Sequence, residues 1–321
     1  MPDGEVPGLG ASSTGTIAYL LGPRVVDTRF TWIAPGGKLE PLSFKPRAYW
    51  DLSLSPDGRY AAAGVVEGGR FVLRILELDR PPMEQILDLP GSNWYAVWHP
   101  KDTDHRLMMR SMRKGDYDTY VKDIDSSEPA KPFLDTDFDD SPMAWLPPDG
   151  KSVVIQQSTT AGEYPLLKVD VADPSVRTEL LRESQIDMAM PSPDGRWLAV
   201  VMTRGQGQTE VWVRPLFTDG PPKQVTTKGA QAVQWSRKTG QLIYTRPPEI
   251  VAVSYREENG EFRVVGEQLF ARVEGFDFTR SFAVGRDGRV LIDLPVVPLP
   301  PPQIRVVVGF DRELERRFNA R

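Results

Sequence analysis

Residues 55–63 read Ser-Pro-Asp-Gly-Arg-Tyr-Ala-Ala-Ala, and residues 192–200 read Ser-Pro-Asp-Gly-Arg-Trp-Leu-Ala-Val. Related stretches are PPDGKSVVI at 147–155 and GRDGRVLI at 285–292. Weaker copies of the turn lie at 12–15, 99–102 and 236–240, so that the turn recurs about every 45 residues. Proline presets φ for a type I turn, aspartate accepts local backbone hydrogen bonds, and glycine takes the positive φ that follows. A repeat of this length built on turn residues is typical of a β-propeller.

Each unit has the same order of short apolar stretches around its turn. In the second unit, residues 50–54 precede the turn, 59–66 and 71–78 follow it, and 83–89 close the unit. This pattern predicts four strands, a to d, joined by hairpin turns. Strand b is nearly all apolar, as expected of a strand packed between neighbouring blades. The sequence therefore predicts an all-β propeller.

The number of turns favours seven blades. The seventh unit has candidates for strands a and b and, after a proline-rich run at 294–302, one more strand at 304–308. It lacks strand d, and closed propellers often complete the last blade with a strand from the other terminus. Six blades, with the first segment completing the last, is the alternative. A short amphipathic helix is predicted over 311–318, which divides the chain into a propeller at 1–310 and a helical tail at 311–321.

The Ser-Pro-Asp-Gly turns, each followed by a basic residue and an aliphatic strand, resemble those of TolB-type, WD-repeat-like bacterial propellers. The closing stretch at 303–318, QIRVVVGFDRELERRF, is similar to the tail of propeller halves appended to bacterial serine/threonine kinases. The kinase motifs themselves, a glycine-rich loop, HRD and DFG, do not occur in this sequence. For function, the resemblance implies a binding or interaction platform.

Composition excludes several classes of function. The chain carries 39 Lys and Arg against 44 Asp and Glu, a net charge of −5, which argues against a sequence-independent nucleic-acid binder. The absence of cysteine excludes disulfides, thiolate zinc sites and cysteine nucleophiles. No apolar run is long enough to span a membrane. No signal peptide is visible, which predicts a cytoplasmic location, although related propellers are often extracytoplasmic. We expect a monomer.

The candidate functional residues lie at the entry to strand a. Innermost strands start near one mouth of the channel, so their first residues line that mouth together with the b–c loops. Carboxylates, amides, aromatic rings and an arginine that converge on one concavity form a candidate ligand site. The candidates are Trp50, Asp51, Trp94, Tyr95, Asp139, Asp140, Asp187, Gln231, Asp277 and Arg280.

Two classes of function fit this mouth. The first is a binding scaffold whose partner is a protein or a small molecule. The alternative to it is a polar mouth without a specific ligand. The second is a hydrolase in which Asp51, Asp140 and Asp187 are the catalytic candidates. It could be a lactonase or phosphotriesterase assisted by Ca²⁺, which prefers oxygen ligands. It could also be a glycosidase that uses two carboxylates.

Other chemically active residues are assigned to structure. The aspartates of the repeat turns, Asp57, Asp149, Asp194 and Asp287, are predicted to serve turn chemistry. The two histidines, His99 and His105, lie in and just after a repeat turn, on the face opposite the predicted mouth. They are poor candidates for a catalytic triad, which needs a histidine beside a serine.

Overall fold

The computed structural model describes most of the chain as β-structure. The residues described are 10–12, 15–21, 26–79, 83–87, 89–113, 115–183, 185–204, 208–218, 220–274, 282–297, 303–310 and 316. Among them are 27 strands, and Phe310 and Arg316 are the helical residues. The all-β prediction is therefore confirmed.

The strands are numbered in chain order. Before the first complete blade come β1 (Gly10–Ala11), β2 (Ile17–Leu21), β3 (Thr28–Ile33) and β4 (Leu39–Pro41). Blade I contains β5 (Ser53–Leu54), β6 (Tyr60–Glu67), β7 (Arg70–Glu77) and β8 (Met83–Ile86). Blade II contains β9 (Ser92–Trp98), β10 (Arg106–Met112), β11 (Asp118–Asp123) and β12 (Lys131–Leu134). Blade III contains β13 (Asp140–Trp145), β14 (Ser152–Gln157), β15 (Leu166–Asp170) and β16 (Arg177–Leu181).

The second half of the chain continues the same pattern. Blade IV contains β17 (Gln185–Pro191), β18 (Trp197–Thr203), β19 (Glu210–Pro215) and β20 (Lys223–Gln224). Blade V contains β21 (Ala232–Trp235), β22 (Leu242–Arg246), β23 (Glu249–Glu258) and β24 (Glu261–Arg272). The last strands are β25 (Phe282–Val284), β26 (Val290–Pro295) and β27 (Gln303–Val307). Blades I to V are antiparallel meanders whose first strand lies innermost.

Blade VI is shared between the two ends of the chain. Its strand order is β25-β26-β3-β4, with Val290 opposite Ile33 and Pro295 opposite Thr28. The described residues thus form six blades, the alternative count, and the preferred count of seven was wrong. The first and last units each supply two strands to one sheet because the unpaired edge of β26 would otherwise be exposed.

The remaining strands form a small sheet of their own. Its order is β1-β2-β27, and Ile17 pairs with Val307. The strand predicted at 304–308 is thus found at 303–307, but it pairs with β2 and not with the last blade. The helix predicted over 311–318 lies, except for residue 316, outside the described residues. The division at residue 310 stays a prediction.

The core lies between blades. In blade III, strand b buries Val153, Val154 and Ile155 completely, although successive side chains point to opposite faces of the sheet. Such a strand needs an apolar neighbour on both faces, which the adjacent blades provide. The prediction that strand b is sandwiched between blades is confirmed.

The repeat turns have the predicted chemistry. Asp57 Oδ1 accepts hydrogen bonds from Ser55 Oγ at 2.5 Å and from the Arg59 backbone N–H at 3.0 Å. Asp194 makes the same two contacts in blade IV. Gly58, which ends the turn, has a φ of 75°. The turn aspartates therefore hold the a–b turns in shape, as predicted from the sequence.

Candidate functional site

A cavity of about 180 Å³ lies at the face formed by the a–b turns. We call it the turn-side cavity. Every blade contributes the end of its innermost strand to the wall. These segments are Ser53–Leu54, Val97–Trp98, Met143–Trp145, Met190–Pro191, Gln234–Trp235 and Ala283–Val284. Six segments far apart in sequence therefore meet at one site.

Three tryptophans are among the residues that line this wall. Trp98, Trp145 and Trp235 are all at least 90% buried. Each indole Nε1–H donates to a carbonyl of the preceding blade: Trp98 to Ser53 at 3.3 Å, Trp145 to Val97 at 3.1 Å, and Trp235 to Met190 at 2.9 Å. These hydrogen bonds fix the rings, so the cavity wall is preorganised.

One residue of the cavity wall carries a buried polar group without a partner in the described part of the chain. Ser53 Oγ is buried and has no hydrogen-bond partner among the described residues. A buried hydroxyl without a partner is costly, and such groups often mark a place that water or a ligand completes. Ser53 is thus a lining residue of the turn-side cavity whose hydroxyl is buried and unpartnered among the described residues.

Two arginines stand at the rim of the cavity. Arg237 of blade V and Arg286 of blade VI both line it. Asp102, in the a–b turn of blade II, lies 3.4 Å from Arg237 Nη1 and 3.2 Å from Arg286 Nη2. Arg237 Nη2 also donates to the Pro100 carbonyl at 3.3 Å. The turn of blade II thus crosses the channel opening to reach blades V and VI.

The mouth predicted from the sequence lies toward the other end of the innermost strands. There Asp51 is 4% exposed and accepts two backbone hydrogen bonds, from Gly64 N–H to Oδ1 and from Tyr95 N–H to Oδ2, both at 2.9 Å. Tyr95 has a φ of 55°, a left-handed conformation that non-glycine residues seldom adopt. The structure brings Asp51, Trp94 and Tyr95 together, since a Cβ on Gly64 would touch both Asp51 and Trp94. Asp51 holds blade I to blade II.

Asp140 is fully buried, and both of its carboxylate oxygens accept hydrogen bonds from the protein. Its Oδ1 accepts from Gln157 Nε2 at 2.5 Å and its Oδ2 from Thr136 Oγ1 at 2.7 Å. Burial raises the pKa of the Asp140 carboxyl, against the opposing effect of these two hydrogen bonds. Neighbouring Asp139 accepts from the Tyr117 backbone N–H at 3.2 Å. The Asp139 carboxylate thus contacts blade II, whereas the Asp140 carboxylate contacts blade III and the segment that leads into it.

The other predicted residues are less tightly held or lie outside the described part of the chain. Asp187 is partly buried and lies 3.4 Å from Gln185 Nε2. Gln231 Oε1 is buried and has no hydrogen-bond partner among the described residues. Asp277 and Arg280 fall in the undescribed segment 275–281. Their place in the predicted mouth stays a prediction.

Aromatic rings of blades I and II form a chain near the predicted mouth. The side chain of Trp50 is 47% exposed, and its ring centroid lies 5.7 Å from that of Phe71. The ring centroid of Phe71 lies 4.8 Å from that of Trp94. The guanidinium of Arg110 lies 3.6 Å from the centroid of the Tyr117 ring. Trp50 and Trp94, both predicted site residues, are therefore joined through a ring that the sequence did not single out.

The described residues contain no preformed site for Ca²⁺, the cation that the sequence suggested. Within them, no group of three or more His, Asp or Glu side chains is placed to hold a metal ion. Asp51 and Asp140 direct their oxygens to protein donors. A Ca²⁺ site at the predicted mouth stays a prediction that would depend on the segment containing Asp277.

The sequence carries a signal for the cavity residues, which were not among the predicted site residues. Trp98, Trp145 and Trp235 each stand one or two positions before a repeat turn. Aromatic residues recurring at that register predict a ring of side chains at the a–b end of the channel. Asp102 carries no comparable signal, because its contact with blades V and VI depends on the path of the turn.

Comparisons with known proteins address the fold. No family model matches the chain, and no curated protein is similar in sequence. A protein from Agrobacterium tumefaciens assigned as a TolB matches with a TM-score of 0.59 at 16% identity, covering 84% of this chain and 99% of that one. TolB from Acinetobacter baumannii matches with a TM-score of 0.54 at 15% identity, covering 88% and 68%. A Bacteroides uniformis protein assigned as a 6-phosphogluconolactonase matches with a TM-score of 0.50 at 16% identity, covering 88% and 100%.

The chain therefore has the fold of the TolB-type β-propellers, as the repeat turns predicted. Identities this low show the fold alone. The resemblance of residues 303–318 to kinase-appended propellers stays a prediction. No helix among the described residues combines the length and apolar character needed to cross a lipid bilayer.

Proposed function

We propose that this propeller is a binding module whose ligand occupies the turn-side cavity. The observation that carries the proposal is the convergence on one cavity of six strand ends from six blades, with three fixed indoles and two rim arginines. Ligand sites are concave and combine apolar walls with a few placed polar groups. This cavity combines apolar side chains with the two rim arginines.

The size of the cavity limits the ligand. Its volume of about 180 Å³ is below the roughly 300–1,000 Å³ of sites for drug-sized ligands. The site suits a small molecule of a few carbon atoms, or a single ring, with its polar end toward the rim. A small-molecule ligand is thus favoured over the protein partner that the sequence left open.

The hydrolase that the sequence left open is less well supported. A catalytic carboxylate must be free to accept a proton from, or to attack, a substrate. Asp51 and Asp140 are buried, and each of their oxygens already accepts a hydrogen bond from the protein. Of the three catalytic candidates, Asp187 is the one that is partly exposed, with a single contact of 3.4 Å to Gln185. The likeness to a protein assigned as a lactonase concerns the fold and adds no catalytic group.

The proposal can be tested by NMR of the indole N–H groups. The chain has eight tryptophans, which Trp→Phe variants would assign. A library of small neutral, anionic and cationic aromatic fragments would be added to ¹⁵N-labelled protein. We expect some fragments to shift Trp98, Trp145 and Trp235 together and to leave Trp50 and Trp94 unchanged.

A blocking variant completes the test. Ser53→Leu enlarges a residue of the cavity wall, whereas Ser254→Leu makes the same change on strand c of blade V. We expect the shifts to disappear only in Ser53→Leu. Shifts of Trp50 and Trp94 instead would move the site to the mouth predicted from the sequence. The absence of any shift in the wild-type protein would contradict the proposal.

A further inference from the structure

We infer that the turn-side cavity takes a ligand bearing a carboxylate, and that Asp102 is a built-in competitor for the place of that carboxylate. The inference rests on the proposed function and specifies the chemical class of the ligand. It starts from the ion pairs of Asp102 with Arg237 and Arg286. These three residues come from three different blades, II, V and VI.

The geometry shows where the two guanidinium groups converge. Oδ1 of Asp102 lies 3.4 Å from Arg237 Nη1, and Oδ2 lies 3.2 Å from Arg286 Nη2. One carboxylate thus bridges two arginines, one on each oxygen. Arginine presents a planar set of donors that matches a carboxylate. The rim of the cavity is therefore already arranged to hold a carboxylate, and a side chain of the protein provides it.

The bridge is weak enough to be displaced. Asp102 and Arg237 are each 40% exposed at the side chain, and Arg286 is 55% exposed. Ion pairs this exposed contribute little to stability because water screens them. The a–b turn of blade II is also longer than its counterpart in blade I, since seven residues separate β9 from β10 and five separate β5 from β6. A ligand can thus exchange with Asp102 without disturbing a strand.

The cavity wall defines the rest of the ligand. Arg237 and Arg286 line the same cavity as Trp98 and Trp145, so a group held by the arginines has an apolar space beside it. A small carboxylate with an aromatic or aliphatic body fits both features. Without a ligand, the single negative charge of Asp102 is shared by the two arginines and balances one of their two positive charges.

The test compares benzoate with benzamide, which has the same ring without the charge. Affinity is measured by titration of the indole signals of Trp98, Trp145 and Trp235. In Asp102→Asn the competing charge is gone, and we expect benzoate to bind about three- to tenfold more tightly, the effect of removing one or two exposed ion pairs. Benzamide should bind equally to both proteins. Phenyl phosphate in the same titration distinguishes a carboxylate site from a general anion site.

Two further variants make the result specific. Arg237→Gln combined with Arg286→Gln should reduce the affinity for benzoate to that for benzamide. Glu261→Gln, on the outer strand β24, makes the same change in net charge as Asp102→Asn and should leave benzoate binding unchanged. Added salt screens the attraction between the benzoate charge and the exposed arginines, so benzoate binding should also weaken as the salt concentration rises.

The outcomes separate this inference from the proposed function. If neutral fragments shift the three cavity indoles but Asp102→Asn leaves the benzoate affinity unchanged, the inference fails and the binding cavity stands. If Asp102→Asn strengthens benzamide as much as benzoate, Asp102 is a steric cover and not a competitor for charge. Tighter binding of phenyl phosphate than of benzoate would overturn the assignment to carboxylates. If no compound shifts the cavity indoles in any variant, the proposed function itself fails.

Discussion

His105 joins blade II to the repeat turn of blade I: its Nε2 lies 3.0 Å from Asp57 Oδ2. Its other ring nitrogen, Nδ1, lies 2.6 Å from Asp125 Oδ2. The ring of Tyr60 packs edge-on against the imidazole at 5.0 Å. With a carboxylate at each nitrogen, the imidazole is held most strongly when both nitrogens are protonated. An inter-blade contact therefore depends on the charge of one histidine.

The stability of the propeller should depend on pH through this contact. Burial lowers the pKa of His105, but the hydrogen bonds with Asp57 and Asp125 outweigh burial and raise the pKa above its ordinary value. The stability that His105 adds is therefore complete below the pKa of an unfolded histidine, about 6.5. It is lost as the pH rises through the higher pKa of the folded protein. We expect about 1 kcal/mol, the size of one charge-assisted hydrogen bond that is partly exposed.

Urea unfolding of the wild type and of His105→Gln at pH 5.5 and pH 8.5 would measure this effect. The wild type should exceed the variant in free energy of unfolding by more at pH 5.5 than at pH 8.5. The comparison must be between proteins, because burial lowers the pKa of His99 and gives the wild type an opposite dependence from that residue. An equal difference at both pH values would show that the contact does not titrate.

A second prediction concerns the glycines of the repeat turns. Gly150 and Gly240 end the a–b turns of blades III and V, with φ of 69° and 66°. A Cβ on Gly150 would overlap Nε2 of the buried His99, whereas a Cβ on Gly240 would meet nothing within 4 Å. Both Gly→Ala changes bring the strain of positive φ, about 1–2 kcal/mol. Gly150→Ala should cost about 1–3 kcal/mol more, as overpacking does.

Chemical denaturation of the two alanine variants would measure the difference. A double-mutant cycle with His99→Ala would assign it: the combined loss in Gly150→Ala/His99→Ala should be smaller than the sum of the single losses. Strict additivity would mean that His99 does not limit the space above Gly150.

The third prediction concerns the closure of the ring. Phe30 of β3 is fully buried, and its ring lies 4.2 Å from that of Tyr49. Because β3 is strand c of blade VI, Phe30→Ala should destabilise the protein by about 3–5 kcal/mol. Hydrogen exchange of β26, the partner of β3, should accelerate most. Phe217, which is 63% exposed, offers the control, since Phe217→Ala should change stability by no more than about 0.5 kcal/mol.

Retained protection of β26 in Phe30→Ala would argue that β26 does not depend on the N-terminal strands. A large loss of stability in Phe217→Ala would show that the difference between the two variants does not come from the burial of Phe30. Together the two variants test six-bladed closure by both ends of the chain.

The sequence predicts the blades well because each blade is local. The turn at Ser55–Gly58 and the apolar strand after it are fixed by contacts among neighbouring residues, so the pattern can be seen in the sequence. The partner of β26 is different, since Val290 and Ile33 are separated by most of the chain. No local pattern specifies that pairing, and the count of turns therefore gave one blade too many.

The candidate site shows a similar limit. The position of Asp51 before its turn predicts its depth in the channel but not the direction of its side chain. Innermost strands carry β-bulges, such as the register shift between Ile186 and Met188 around Asp187. A bulge turns a side chain toward a different neighbour. Burial of Asp51 also requires Gly64 opposite it, where any Cβ would touch the carboxylate.

The last prediction compares Asp51 with Asp140, the two buried carboxylates of the predicted mouth. Asp51 accepts from two backbone N–H groups, which cannot change from donor to acceptor. In Asp51→Asn, one N–H would face the new amide NH₂, and a buried donor without an acceptor costs about 1–3 kcal/mol. Asp140 instead accepts from the hydroxyl of Thr136, which can rotate and accept.

Asp140→Asn should therefore lower the free energy of unfolding less than Asp51→Asn does. Asparagine at position 140 also removes the need to bury a charged carboxylate, and burial already raises the pKa of the Asp140 carboxyl. Urea unfolding at pH 7 would rank the two variants, with wild-type circular dichroism as the check that each still folds. The opposite ranking would mean that the backbone contacts of Asp51 are not what holds blades I and II together. If Asp51→Asn kept wild-type stability but abolished the binding of a fragment that shifts Trp50 and Trp94, Asp51 would be a ligand-binding residue, as the sequence first suggested.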